Sequence, residues 1–289
     1  MRLSRRALLA APSALAMPAL AQSFPSRPLR LVVPFAAGGS ADASARMLAD
    51  PLGAALGQPV VVDNRPGGGA TVGALFVARA TPDGHTLLYG TPGPQIINPH
   101  LMRSLPYDPV RDLAPVSGYK RAPNLLAVNA ALPAQDVAGL IALAKAQPGR
   151  LTFASSGIGS SSHLAGEMLK FMAQIDITHV PYRGTGPATT DLIGGVVSMA
   201  LDTLSILLPP ARAGNLRALA VTTPQRSALA PDLPALAETL PGFDAAPFNY
   251  IAAPAGTPAP VVARLNAAIV AILYDPAYRA RMEALGEEA

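Results

Sequence analysis

Residues 33–46 read VPFAAGGSADASAR. An apolar run enters Pro34, breaks at Gly38-Gly39-Ser40 and continues as an alanine-rich stretch of helical composition. A strand that ends in glycines and turns straight into a helix leaves bare backbone N–H groups at the helix N-terminus, where an anion can sit. The lysine of a phosphate loop is missing, and so is the full spacing of a dinucleotide fingerprint. Gly38 and Gly39 let the backbone approach a ligand closely, and Ser40 can cap the helix. Asp42 either suits the acid-favouring first turn or faces the ligand.

The same grammar recurs twice further on. Residues 154–163, ASSGIGSSSH, hold five serines and two glycines between a strand and a helix. That is more hydrogen-bonding capacity than a cap requires, and Ser155, Gly157, Ser160 and Ser161 suit a carboxylate, which accepts about four hydrogen bonds. Residues 179–188, HVPYRGTGPA, again feed a strand into a helix through Gly184 and Gly186, with Tyr182 and Arg183 able to wall or clamp a small acid. Asp202, ending the next strand, is a cap for the following helix or a contact for a donor on the ligand. Residues 63–69, DNRPGGG, give a poor nucleotide reading, because the spacing is off by one and no acidic strand end lies about 20 positions on. A glycine-rich turn with tight helix packing accounts for them better.

Around these loops, short β-rich runs alternate with alanine-rich helical stretches, the pattern of an α/β fold. Strands are expected over 29–34, 59–62 and 86–89, with helices over 40–57 and 71–79; Pro51 should kink or end the first helix. A second set follows, with strands over 125–128, 151–154, 177–180, 197–201 and 216–221 and helices over 135–146, 160–173, 185–193 and 203–213. Two such lobes, each with glycine loops at strand ends, predict a cleft between them. The organisation read here is a first lobe over 24–121, a second over 122–221, and a return to the first over 222–289.

Composition narrows the function. Arg2, Arg5 and Arg6 precede an apolar run that ends in Ala19-Leu20-Ala21, the pattern of a cleaved export signal over 1–21. The run is short for a membrane span, and Ser4-Arg5-Arg6 loosely fits a twin-arginine signal as well as a general secretory one. Three of the 22 basic residues leave with this segment, so 19 remain against 18 acidic ones, and only 5% of residues are aromatic. A nucleic-acid surface is therefore not expected. Cysteine is absent, which removes thiol chemistry. The four histidines show no metal-ligand spacing, so no metal or cofactor is expected. No Gly-x-Ser-x-Gly elbow occurs, and a hydrolase built on Ser160 or Ser161 with His163 is a poor geometric prospect. The chain does not read as an enzyme.

The ordered stretches PFAAGGSAD, VVDNRPGGGATVGA, PDGHTLLYGTPG, LPYDPVRDLAPV, ASSGIGSSSHLAGE, HVPYRGTGPATTDLIGG and SMALDT resemble the Bug family, the extracytoplasmic receptors of tripartite tricarboxylate transporters. The resemblance implies a two-lobed periplasmic binding protein of type II topology, monomeric, closing on a small carboxylate and serving two membrane components. It implies ligand contacts from Gly38, Gly39, Ser40, Asp42 and Thr91 on one lobe. On the other it points to Ser155, Gly157, Ser160, Ser161, Tyr182, Gly184, Gly186 and Asp202. A receptor that senses without a transporter is the alternative. Relatives continue past the stretch matching 282–289 with a strand and a closing helix, so the tail reads as shortened and reduced stability is the expectation.

Overall fold

The computed structural model describes residues 24–121 and 123–287, so the export segment read over 1–21 lies outside the described residues. The opening stretch becomes β1 (Leu29–Val33) and α1 (Ser40–Leu56), followed by β2 (Val60–Asn64), α2 (Thr71–Ala78) and β3 (Thr86–Gly90). A π-helical turn and the short α3 (Asn98–Leu101) lead to β4 (Leu113–Arg121). The second set is β5 (Asn124–Asn129), α4 (Val137–Ala146), β6 (Thr152–Ser155), α5 (Ser161–Ala173), β7 (Thr178–Pro181), α6 (Thr185–Ile193), β8 (Met199–Thr203), α7 (Leu204–Arg212) and β9 (Leu216–Val221). The chain closes with β10 (Phe248–Pro254), α8 (Ala259–Tyr274) and α9 (Pro276–Ala284).

Two five-stranded sheets result, ordered β2-β1-β3-β10-β4 and β7-β6-β8-β5-β9. In each, parallel strands are joined by helices, and one strand that arrives from the other lobe runs antiparallel to its neighbours: β10 in the first sheet, β5 in the second. The chain thus crosses between lobes twice, the type II arrangement that the resemblance implied. Helices cover both faces, so the central strands are largely buried; Leu31, Val32 and Val33 of β1 have no exposed surface. The parallel strands of both sheets end at the cleft, where their glycine and serine loops collect.

Pro51, expected to kink or end α1, does not end it, and the helix runs on to Leu56. Leu48, Leu52 and Leu56 lie on its buried face in the first lobe's core, on both sides of the proline. Each buried leucine contributes roughly 1.5–3 kcal/mol, enough together to outweigh about 3 kcal/mol for an interior proline. The tail helices pack on this same core through Leu265, Ile269, Tyr278 and Met282. Among the described residues no single helix is long and apolar enough to cross a membrane.

DNRPGGG is structural, and more so than helix packing alone required. A Cβ on Gly73 would lie 2.7 Å from Pro34, so α2 seats directly on the end of β1. Gly69, with φ +58°, brings its backbone against the other lobe: a Cβ there would lie 1.8 Å from the Ile158 carbonyl oxygen.

Candidate ligand-binding cleft

Three helices point their N-termini into the space between the lobes. α1 starts after Gly39, α5 after Ser160 and α6 after Gly184. Gly39 and Gly184 provide no side-chain cap, so their helices' first N–H groups remain for another acceptor. The first and third helices almost touch: a Cβ on Gly39 would sit 3.5 Å from Gly186 N, and one on Gly186 would sit 3.3 Å from Gly38 O. Close by, the Ala36 N–H donates to the Arg183 carbonyl across the lobes at 3.0 Å. Partial positive charge from both lobes therefore converges on one point, which favours an anion.

The cavity there is lined by Gly39, Ser40, Thr91, Ser160, Ser161 and Asp202, all expected from the sequence. Ser156, Thr185, Thr203, Tyr89, Lys120 and Asn249 also line it and were missed. Its volume is about 40 Å³, room for a water or two rather than a metabolite. The lobes are thus drawn together, and a ligand needs them to part or side chains to move.

Asp202 organises the second lobe's wall. It accepts hydrogen bonds from Ser156 Oγ at 2.6 Å, Thr185 Oγ1 at 3.2 Å and Thr203 N at 2.7 Å. Ser40 Oγ meets Thr203 Oγ1 across the cleft at 3.0 Å. With the Ser156 and Thr185 hydroxyl protons turned towards this carboxylate, the donors left for an incoming anion are chiefly backbone N–H groups.

The other seven expected contacts do not line this cavity. Asp42 turns back on its own helix, accepting from Gly38 N at 3.0 Å and Arg46 Nε at 3.0 Å. Burial opposes its ionised form, but hydrogen bonds from Arg46, Gly38 and Asn64 prevail and hold its carboxyl below the ordinary range. It serves as first-turn acid rather than as a wall. Ser155 Oγ pairs with His179 Nε2 at 2.6 Å, inside the second lobe. Tyr182 donates to Asp191 at 2.7 Å, and Gly157 faces the crevice beside Pro66 and Gly69, away from the helix ends. Gly184 and Gly186 make the contact between lobes, Gly186 against the Gly38 carbonyl, whereas a Cβ on Gly38 itself would meet nothing within 4 Å; Gly184 holds φ +154°, with Ala36 N 3.3 Å from where a Cβ would be.

The serine–histidine alternative fails on geometry. Ser160 Oγ accepts from the backbone N–H of His163 at 3.2 Å, while the His163 ring takes the Gly159 N–H on Nδ1. That ring stacks on His179 with centroids 4.2 Å apart, and His179 stacks in turn on Phe153 at 4.8 Å. Neither serine has a base. Among the described residues, no three His, Asp or Glu side chains gather as a metal would require.

The stacked histidines have a titration consequence. Burial and, after it, the neighbouring His163 push His179 down to about 4 from an ordinary 6.5. Because the unfolded chain takes up this proton first, the stability contributed is complete above about 6.5 and is lost as pH falls from there towards 4. We expect the melting midpoint to fall across that window and His179→Gln to fall less steeply; equal slopes in a pH series of thermal melts would contradict the assignment.

Lys120 is the main omission from the sequence reading. Its ammonium is buried at the first lobe's wall, donates to Ser44 Oγ at 2.7 Å and pairs with Glu287. Burial lowers its pKa, and the Glu287 carboxylate works the other way. Its strand, LAPVSGYKR, carries a proline, a glycine and a charged end, and no strand was expected there.

Comparison with known proteins agrees with this architecture. The family described as tripartite tricarboxylate transporter family receptor matches residues 44–289. A UPF0065 protein of Bordetella bronchiseptica is 42% identical over 98% of this chain and 85% of its own length. BugT of Bordetella pertussis is 40% identical over 89% and 79%. Among solved structures, an R. palustris protein with adipate superposes with a TM-score of 0.89 at 39% identity, covering 92% of this chain and 89% of that one. MatC of Rhodopseudomonas palustris, with malate, gives 0.88 at 36% identity, covering 92% and 90%. With helix N-termini from two lobes facing one cleft and this likeness along nearly its whole length, the chain belongs to the tripartite tricarboxylate transporter receptor family of periplasmic solute-binding proteins, and is a receptor, not an enzyme.

Proposed function

We propose that this receptor is exported by its N-terminal segment and captures a small carboxylate-bearing metabolite for the membrane components of a tripartite tricarboxylate-type transporter. The candidates are dicarboxylates, tricarboxylates, acidic amino acids and aromatic acids. The observation that carries the reading is the meeting of the α1, α5 and α6 N-termini around Gly39, Ser161 and Gly186. Hydrogen bonds to a charged acceptor contribute roughly 1.5–3 kcal/mol each. A handful of them, less the ordering and closure costs, reaches the about −8 kcal/mol of micromolar binding. Adipate and malate in two solved relatives support the same class of ligand.

The test is a thermal-shift screen against small carboxylic acids. A ligand at about 100 times its dissociation constant adds about 2.7 kcal/mol. For a protein of this size that raises the midpoint by roughly 5–10 °C. A sharp melt that no acid moves would leave the fold standing and remove the carboxylate reading.

A further inference from the structure

We propose that Lys120 and Tyr89 form a second polar subsite, which takes the far carboxylate of a two-headed acid in exchange for Glu287, the anion now resident there. This rests on the carboxylate reading above. Both residues line the cavity from the first lobe, on β4 and β3, opposite the serine loop of the second. Neither is fully used. An ammonium carries three donors, and Lys120 directs two of its hydrogen bonds to Ser44 and Glu287. The Tyr89 hydroxyl is wholly buried and has no partner. Glu287 is held through one oxygen only, by Lys120 and Ser44, while its Oε2 is buried without a partner.

A buried pair in which both members keep unmet hydrogen-bonding capacity is weakly held for its cost. A ligand carboxylate that replaced Glu287 would keep the lysine neutralised one for one and could also accept from Tyr89. Glu287 lies on the tail after α9, beside Gly286, which packs against Leu204 and Ser205 at the start of α7, so its withdrawal need not disturb either sheet.

Calorimetric titration of the protein with succinate, glutarate and adipate, each paired with butanoate, pentanoate or hexanoate, tests this. At least one diacid should bind about tenfold or more tightly than the monoacid of equal length. Lys120→Met should remove that margin, and Glu287→Gln should widen it. Because stripping one member from a buried pair can unfold a protein, Tyr89→Phe is measured in parallel; it keeps the ring packing and should weaken diacids selectively. Equal binding of diacid and monoacid, a margin that survives Lys120→Met, a diacid weakened by Glu287→Gln, or indifference to Tyr89→Phe would each overturn the subsite. Binding of neither acid class would instead remove the carboxylate reading on which it rests.

Discussion

Gly39→Asp is expected to abolish carboxylate binding while leaving the melting temperature of the free protein unchanged or slightly raised. The two effects have opposite signs for one reason. Gly39 caps α1 in extended backbone, φ −90° and ψ 175°, which any residue adopts, and aspartate is a preferred cap. The new carboxylate would take the helix's free N–H groups and place a fixed negative charge where the ligand's must go. Two such charges about 4 Å apart repel by about 4 kcal/mol at an effective dielectric near 20. That corresponds to more than a hundredfold loss of affinity. Gly39→Ala is the control: its Cβ would lie 3.5 Å from Gly186 N, an ordinary contact, so binding should largely survive. Titration calorimetry with whichever acid the thermal screen identifies checks both variants. If the aspartate variant binds as well as the parent, the α1 terminus is not part of the site.

The second large effect is expected at a residue that touches no ligand. In Gly69→Ala the new methyl group meets the Ile158 carbonyl oxygen 1.8 Å away, a distance no Cβ tolerates. Gly69 belongs to the first lobe and Ile158 to the serine loop of the second, so the clash exists only when the lobes are together. The open form feels nothing beyond the left-handed backbone, which costs an alanine about 1–2 kcal/mol. Gly68→Ala separates the two contributions: its φ of +56° carries the same backbone cost, but its Cβ meets only Thr71, of its own lobe. We expect Gly69→Ala to bind at least tenfold more weakly than Gly68→Ala, since a ligand must now drive closure against the clash. Small-angle scattering should show the contraction on ligand addition in Gly68→Ala and little of it in Gly69→Ala. Matching curves for the two would mean that closure does not bring these loops together.

These variants also mark how far the sequence could be read. The α/β alternation and the positions of the glycine loops were legible because strand and helix periodicities differ and because glycines punctuate them. β1, α1, α6 and β9 fall within a residue of their expected ends. Ser155 illustrates where the reading stops. Successive strand residues point to opposite faces, so a shift of one position decides whether a serine reaches the cleft. Ser155 turns to His179 inside the lobe, and Ser156, the next residue, faces Asp202 and the cavity. Nothing in ASSGIGSSSH distinguishes them. Asp42 was ambiguous for a different reason, since a first-turn acid and a ligand contact occupy the same sequence position, and Arg46 one turn later decides between them. Lys120 was out of reach altogether. Its partner Glu287 is far away in sequence, and only the insertion of β10 beside β4 and the packing of the tail helices on α1 bring the two together.

That insertion also sets an order in time. β5 to β9 form one uninterrupted stretch, and the second sheet has all five of its strands once Val221 has been made. The first sheet does not. β10 lies between β3 and β4, pairing Tyr250 with both Gly90 and Gly118, so those two strands face a gap until the last part of the chain arrives. Long-range pairings of this kind form late, because the loop they close is long. The lobe translated first is therefore the lobe completed last, and until then two strands wait with open edges, the state in which a chain is most exposed to aggregation. For export of the kind proposed above, such a delay would keep half the molecule unfinished until β10 has been made.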